Sequence, residues 1–140
     1  MTPEQDIRQA LETVCPNVGH WPYTKDAGIF IGFRPSEDDL TWAGNRAIAA
    51  VISYDVVIYH RLGSAEEAEA TRFAAYAALR AAGWLHDNQP GPESYIANAE
   101  LFAWPFTVNK RFYLVDNQPV TADELRAMTS PGTSQPAAGG

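Results

Sequence analysis

The chain has 140 residues, with 17 acidic against 10 basic side chains and a formal charge of -7. A chain of that length fits one domain with a core of its own, and an acid excess without a Lys or Arg cluster argues against gripping nucleic-acid phosphates. No apolar run approaches the roughly 20 residues that cross a bilayer, and the N-terminus lacks a basic-then-apolar leader pattern, so a soluble, cytoplasmically made protein is expected.

Thr2-Pro3-Glu4-Gln5 has the form of a capping box with Pro at the first helical position, and Ile7, Ala10, Leu11 and Val14 then recur at helical spacing until Pro16. A short amphipathic helix follows from this. Cys15 is the only cysteine, which excludes an intrachain disulfide, and it is read as a small apolar residue closing that helix. Residues 15–26 are loop chemistry with aromatic anchors. Residues 27–34, with Ile29, Phe30, Ile31 and Phe33, predict a short strand. Residues 35–39 predict an acidic loop, and Gly44-Asn45 predicts a tight turn.

Residues 47–61 alternate strictly. Ile48, Ala50, Ile52, Tyr54, Val56 and Ile58 share one face of a long strand, opposite Val51, Ser53, Asp55, Val57 and Tyr59. Ser64-Ala65-Glu66-Glu67 predicts a second capping box, and Gly83 a left-handed exit with Trp84 folding back on Leu79. The alanine-rich helix between them offers little volume apart from Phe73, Tyr76 and Leu79, so it is expected to lie flat across the strands. Residues 86–99 predict an exposed excursion. From 100 to 115, Phe102, Trp104, Phe106, Val108, Phe112 and Leu114 share a face interrupted by Lys110, with Pro105 suggesting an edge or a bulge. Trp84-Leu85-His86-Asp87-Asn88-Gln89-Pro90 is echoed by Tyr113-Leu114-Val115-Asp116-Asn117-Gln118-Pro119, a repeat read as two similar turns or as chance. Thr121-Ala122-Asp123-Glu124 opens a third box and a short last helix.

These elements predict an α+β fold: an antiparallel or mixed sheet of about three to four strands, a central helix packed on one face, and short helices at both ends. Residues 1–128 form one domain, and residues 129–140, small, polar and rich in Pro and Gly, form a flexible tail.

No motif for chemistry stands out. His20, His60 and His86 lack metal-ligand spacing, and His60 is expected to face solvent. No cofactor, metal or catalytic residue is predicted. Asp55 is expected to pair across strands with Arg111 or Lys110.

The run Ile52-Ser53-Tyr54-Asp55-Val56-Val57-Ile58-Tyr59-His60-Arg61 passes directly into Leu62-Gly63-Ser64-Ala65-Glu66-Glu67-Ala68-Glu69-Ala70. With the element order over residues 3–115, it resembles the tail terminator (tail completion) proteins of long-tailed bacteriophages. The resemblance implies a non-enzymatic virion protein, assembled in the host cytoplasm. Its copies form a ring, usually of six, that ends tail-tube growth and joins tail to head. The implied partners are copies of itself, the tail tube protein and a head-tail connector protein. DNA passes without specific binding, and no membrane is involved. Six copies at -7 each carry -42, which suits an acidic lumen through which a genome slides. Contacts between subunits or with the tube are expected from His86, Asp87, Asn88, Gln89, Gly91, Glu93, Ser94 and Tyr95, from Arg61 and Arg111, and from the C-terminal segment. A connector or minor tail protein of the same virion is the alternative. A small-molecule binder using Trp21, Trp42, Trp84 and Trp104 is the competing class.

Overall fold

Three long strands carry the fold, and the alternation of two of them sets which side is buried. The computed structural model describes residues 1–87 and 90–129. In chain order these form α1 (Pro3–Glu12), β1 (Val18–His20), β2 (Ile29–Ala43), β3 (Arg46–Arg61), α2 (Ala65–Ala81), β4 (Leu85–His86), β5 (Ser94–Ile96), β6 (Leu101–Val115), β7 (Gln118–Val120) and α3 (Ala122–Thr129). The sheet runs β1-β2-β3-β6-β4, with β5 and β7 also on β6, and all pairs but β1 with β2 are antiparallel.

The expected sheet of three to four strands beneath a central helix is therefore wrong. A curled mixed sheet of seven strands, with three helices, takes its place. Two physical reasons account for the difference. β1, β4, β5 and β7 hold three, two, three and three residues, too few to show a period, and exist because a long neighbour offers them hydrogen bonds. β2 does not stop at Arg34. It continues through the acidic segment to Ala43, held by its register on β3, with two register shifts, a bulge after Pro35 and before Asp38 and another between Thr41 and Trp42.

On one face Ile29, Ile31 and Phe33 of β2, Tyr54, Val56 and Ile58 of β3 and Phe106, Val108 and Phe112 of β6 form a single cluster. Ile7, Ala10 and Leu11 of α1 and Ala68, Ala75 and Leu79 of α2 join it, with Cys15, Val18 and Trp84. Burying side chains of this kind stabilises by roughly 1.5–3 kcal/mol each. α2 meets the sheet through alanines, as expected, but α1 shares the cover. Phe73, expected to help fill the face, is 58% exposed.

The ends of the elements follow local chemistry unevenly. Thr2 and Gln5 make the reciprocal box of α1, and Thr121 and Glu124 make that of α3. Ser64, by contrast, makes no side-chain cap, so the second predicted box is absent. Gly83 takes φ +92°, and the Trp84 amide donates to the Leu79 carbonyl at 2.8 Å, the ending that the sequence suggested. Asp116 and Asn117, at φ 52° and 64°, form the two-residue turn from β6 into β7. Pro105 falls in the gap between β5 and β4, where its carbonyl accepts from the Gly91 amide at 3.1 Å. Asn88, Gln89 and the expected tail beyond residue 129 lie outside the described residues.

Candidate assembly surfaces

β2 pairs with β1 only from Ile31 to Phe33, so among the described residues its outer edge is free from Arg34 onward. Residues 34–46 are all exposed, including Leu40 at 43% and Trp42 at 57%, with Ile48 at 42% just beyond. Together β2 and the start of β3 form an arm that extends past the core. Glu37, Asp38 and Asp39 lie along it, and none makes an ion pair among the described residues. The arm is not legible in the sequence, where Trp42 reads as one more core aromatic. Only the partners of β2 reveal that nothing among the described residues covers it.

At the opposite edge, α2 and β4 enclose an open groove of about 410 Å3, lined by Phe73, Tyr76, Ala77, Arg80 and His86. Tyr76 forms its centre, edge-on to Phe73 at 5.9 Å, to His86 at 4.6 Å and to Phe106 at 5.1 Å. The Tyr76 hydroxyl is buried without a hydrogen-bond partner. Arg80 has no ion pair among the described residues. Burial, and secondarily the charge of Arg80, lowers the pKa of His86 below the ordinary imidazole value.

Between α2 and the sheet lies a smaller cavity of about 200 Å3, lined by Ile58, His60, Ala68, Glu69, Arg72, Glu93 and Trp104 among others. His60 was expected to face solvent. It is instead 4% exposed, stacked on Phe102 at 4.8 Å, with Nε2 at 2.9 Å from Glu93, because it belongs to the buried set of β3. The Arg72 guanidinium lies 3.6 Å from the centre of the Trp104 ring.

Two further polar clusters hold elements together. Asp6, buried on α1, accepts from Lys110 Nζ at 2.5 Å and from Trp84 Nε1 at 3.2 Å, and Lys110 also donates to the Ala82 carbonyl at 2.7 Å. Asp55 faces Arg34 at 3.5 Å and accepts from the Thr107 hydroxyl at 2.9 Å. The expected partners Lys110 and Arg111 are thus replaced by Arg34. The register sets Arg34 of β2 and Thr107 of β6 beside Asp55, whereas Lys110 and Arg111 lie opposite Ile52 and Val51, and Lys110 points to the helices.

The residues expected at an interface are dispersed. His86 floors the groove, Asp87 donates its amide to the Thr107 carbonyl, and Gly91 sits against Pro105. The Glu93 carboxylate is engaged by His60, while Ser94 and Tyr95 lie on exposed β5, with the Tyr95 ring on Phe102 at 4.8 Å. Arg61 donates to the Ala27 and Lys25 carbonyls and so closes the preceding loop, whereas Arg111 is exposed opposite Val51. Of the four tryptophans, Trp84 is fully buried, Trp104 half-buried, and Trp21 and Trp42 exposed, so they do not converge on one pocket. Among the described residues no group of three or more His, Cys, Asp or Glu is placed to hold a metal ion, and no helix is long and apolar enough to cross a membrane.

No protein-family model matches the chain, and no curated protein matches it in sequence.

Proposed function

We propose that this chain is a structural subunit of a phage virion, forming a ring at the head-proximal end of the tail that ends tube growth and joins tail to head. The observation that carries this is the arm. Leu40 and Trp42 stand in solvent on β2, whose outer edge is free among the described residues, with Ile48 of β3 beside them, an arrangement that invites pairing with another chain. The run from β3 into α2 supports the tail terminator reading through its resemblance to that family. The charge of -7 supports a surface past which DNA moves without sticking.

The small-molecule reading has one observation in its favour, the 200 Å3 cavity beside His60, Glu93 and Arg72. Light scattering on the purified chain, with negative-stain imaging, separates the two. Rings are expected, whereas a monomer whose melting temperature rises with a small ligand would support a binder. Antibody labelling of intact virions tests the place. Label at the head-proximal end of the tail is expected, and label elsewhere in the particle, or none, contradicts it.

A further inference from the structure

The arm and the groove lie on opposite sides of one sheet, since β2 stands near one end of the strand order and β4 at the other. We propose that the arm of one copy seats in the α2–β4 groove of the next, so that copies join head to tail. Closure of that chain of contacts into a ring rests on the function proposed above, whereas the pairing of the two surfaces rests on their own chemistry.

Both surfaces are apolar where they should be wet. Leu40 and Trp42 are 43% and 57% exposed on the arm, and Phe73 is 58% exposed at the groove. The groove, at about 410 Å3, lies in the range that accepts a large side chain, and its walls are aromatic. Their charges are opposite. The arm carries Glu37, Asp38 and Asp39 against one cation at its tip, Arg46, so it is net negative, and the groove carries Arg80; none of these five makes an ion pair among the described residues. The same charges disfavour a symmetric dimer. Arm against arm would oppose three carboxylates with three, and groove against groove would oppose Arg80 with Arg80. The unlike pairing sets a net negative arm against a positive groove, and contact between two different patches propagates into a ring or a filament.

The experiment uses two full-length variants, Leu40→Ser with Trp42→Ser on the arm, and Phe73→Ser with Arg80→Glu at the groove. All four positions are exposed, and a thermal melt like that of the wild type verifies folding. Each variant alone is expected to associate at least about 30-fold more weakly than the wild type, the loss that truncating an anchoring aromatic brings. Mixed in equal amounts they should form a dimer and nothing larger, because one intact arm then meets one intact groove. Variants that assemble like the wild type, or a mixture that stays monomeric, overturn the pairing while leaving a ring by another surface possible. Wild-type rings that do not label tail ends overturn the virion role and leave the pairing intact. A wild type that is monomeric at every concentration overturns both.

Discussion

Lys110 interrupts an otherwise apolar face of β6, and its charge is held inside by Asp6, from a helix 104 positions earlier in the chain. The two side chains are 16% and 8% exposed, so each ion has lost most of its water and depends on the other. Lys110→Met should therefore destabilise the protein by about 3–5 kcal/mol, because Asp6 remains as a buried, uncompensated carboxylate. Asp6→Leu combined with Lys110→Met should cost much less, and urea unfolding of the three proteins checks both values. The inward direction of Lys110 was legible from the period of two, but its partner was not, since no local pattern connects residues so far apart. His86 offers a second test. Burial lowers its pKa, so the unfolded chain takes up a proton more readily than the folded one. Its contribution to stability is present above the ordinary value near 6.5 and is lost as the pH falls through the lower folded value. In His86→Gln that part of the acid loss should disappear from the melting temperature between pH 7 and pH 5, values bracketing the ordinary histidine pKa of about 6.5.

At the scale of elements, cap chemistry decides which helix ends are sensitive. Thr2 bonds the Gln5 amide and receives the Gln5 side chain, whereas Ser64 makes no such bond. Thr2→Ala should cost about 1 kcal/mol, and Ser64→Ala about half of that or less, by thermal or chemical unfolding. Gly83→Ala should cost more than about 1 kcal/mol, because its φ of +92° strains any Cβ and that Cβ would meet Lys110 Cε at 3.3 Å. The helices and the strands β3 and β6 were legible because period and caps are local. β2 beyond Arg34 was not: a segment with Pro35, Glu37, Asp38 and Asp39 has no strand signature and is extended only because β3 pairs with it. The short strands on the outer side of β6 are likewise products of their neighbour. Asp116-Asn117 lay in a repeat that could be read as a turn or as chance, and nothing in it announced the strand that follows.

For the whole molecule, the alternating strands told which residues prefer to be buried but not which exposed apolar residues lack a cover. Trp42 and Trp84 are the same residue type, yet one is 57% exposed and the other fully buried. The difference lies in the sheet order and appears only once the chain is folded. The arm at one side and the groove at the other then suit the chain to self-assembly. An assembled ring should have a negative lumen, which mapping the charge in the assembled particle checks; a strongly positive one would contradict the idea that DNA passes freely. The most direct measurement is sedimentation velocity of the untagged wild-type chain over a wide concentration range. A discrete closed species is expected, near 92 kDa for six copies of the 15.3 kDa chain. A single species at 15.3 kDa throughout, or assembly that stops at two copies, would contradict it.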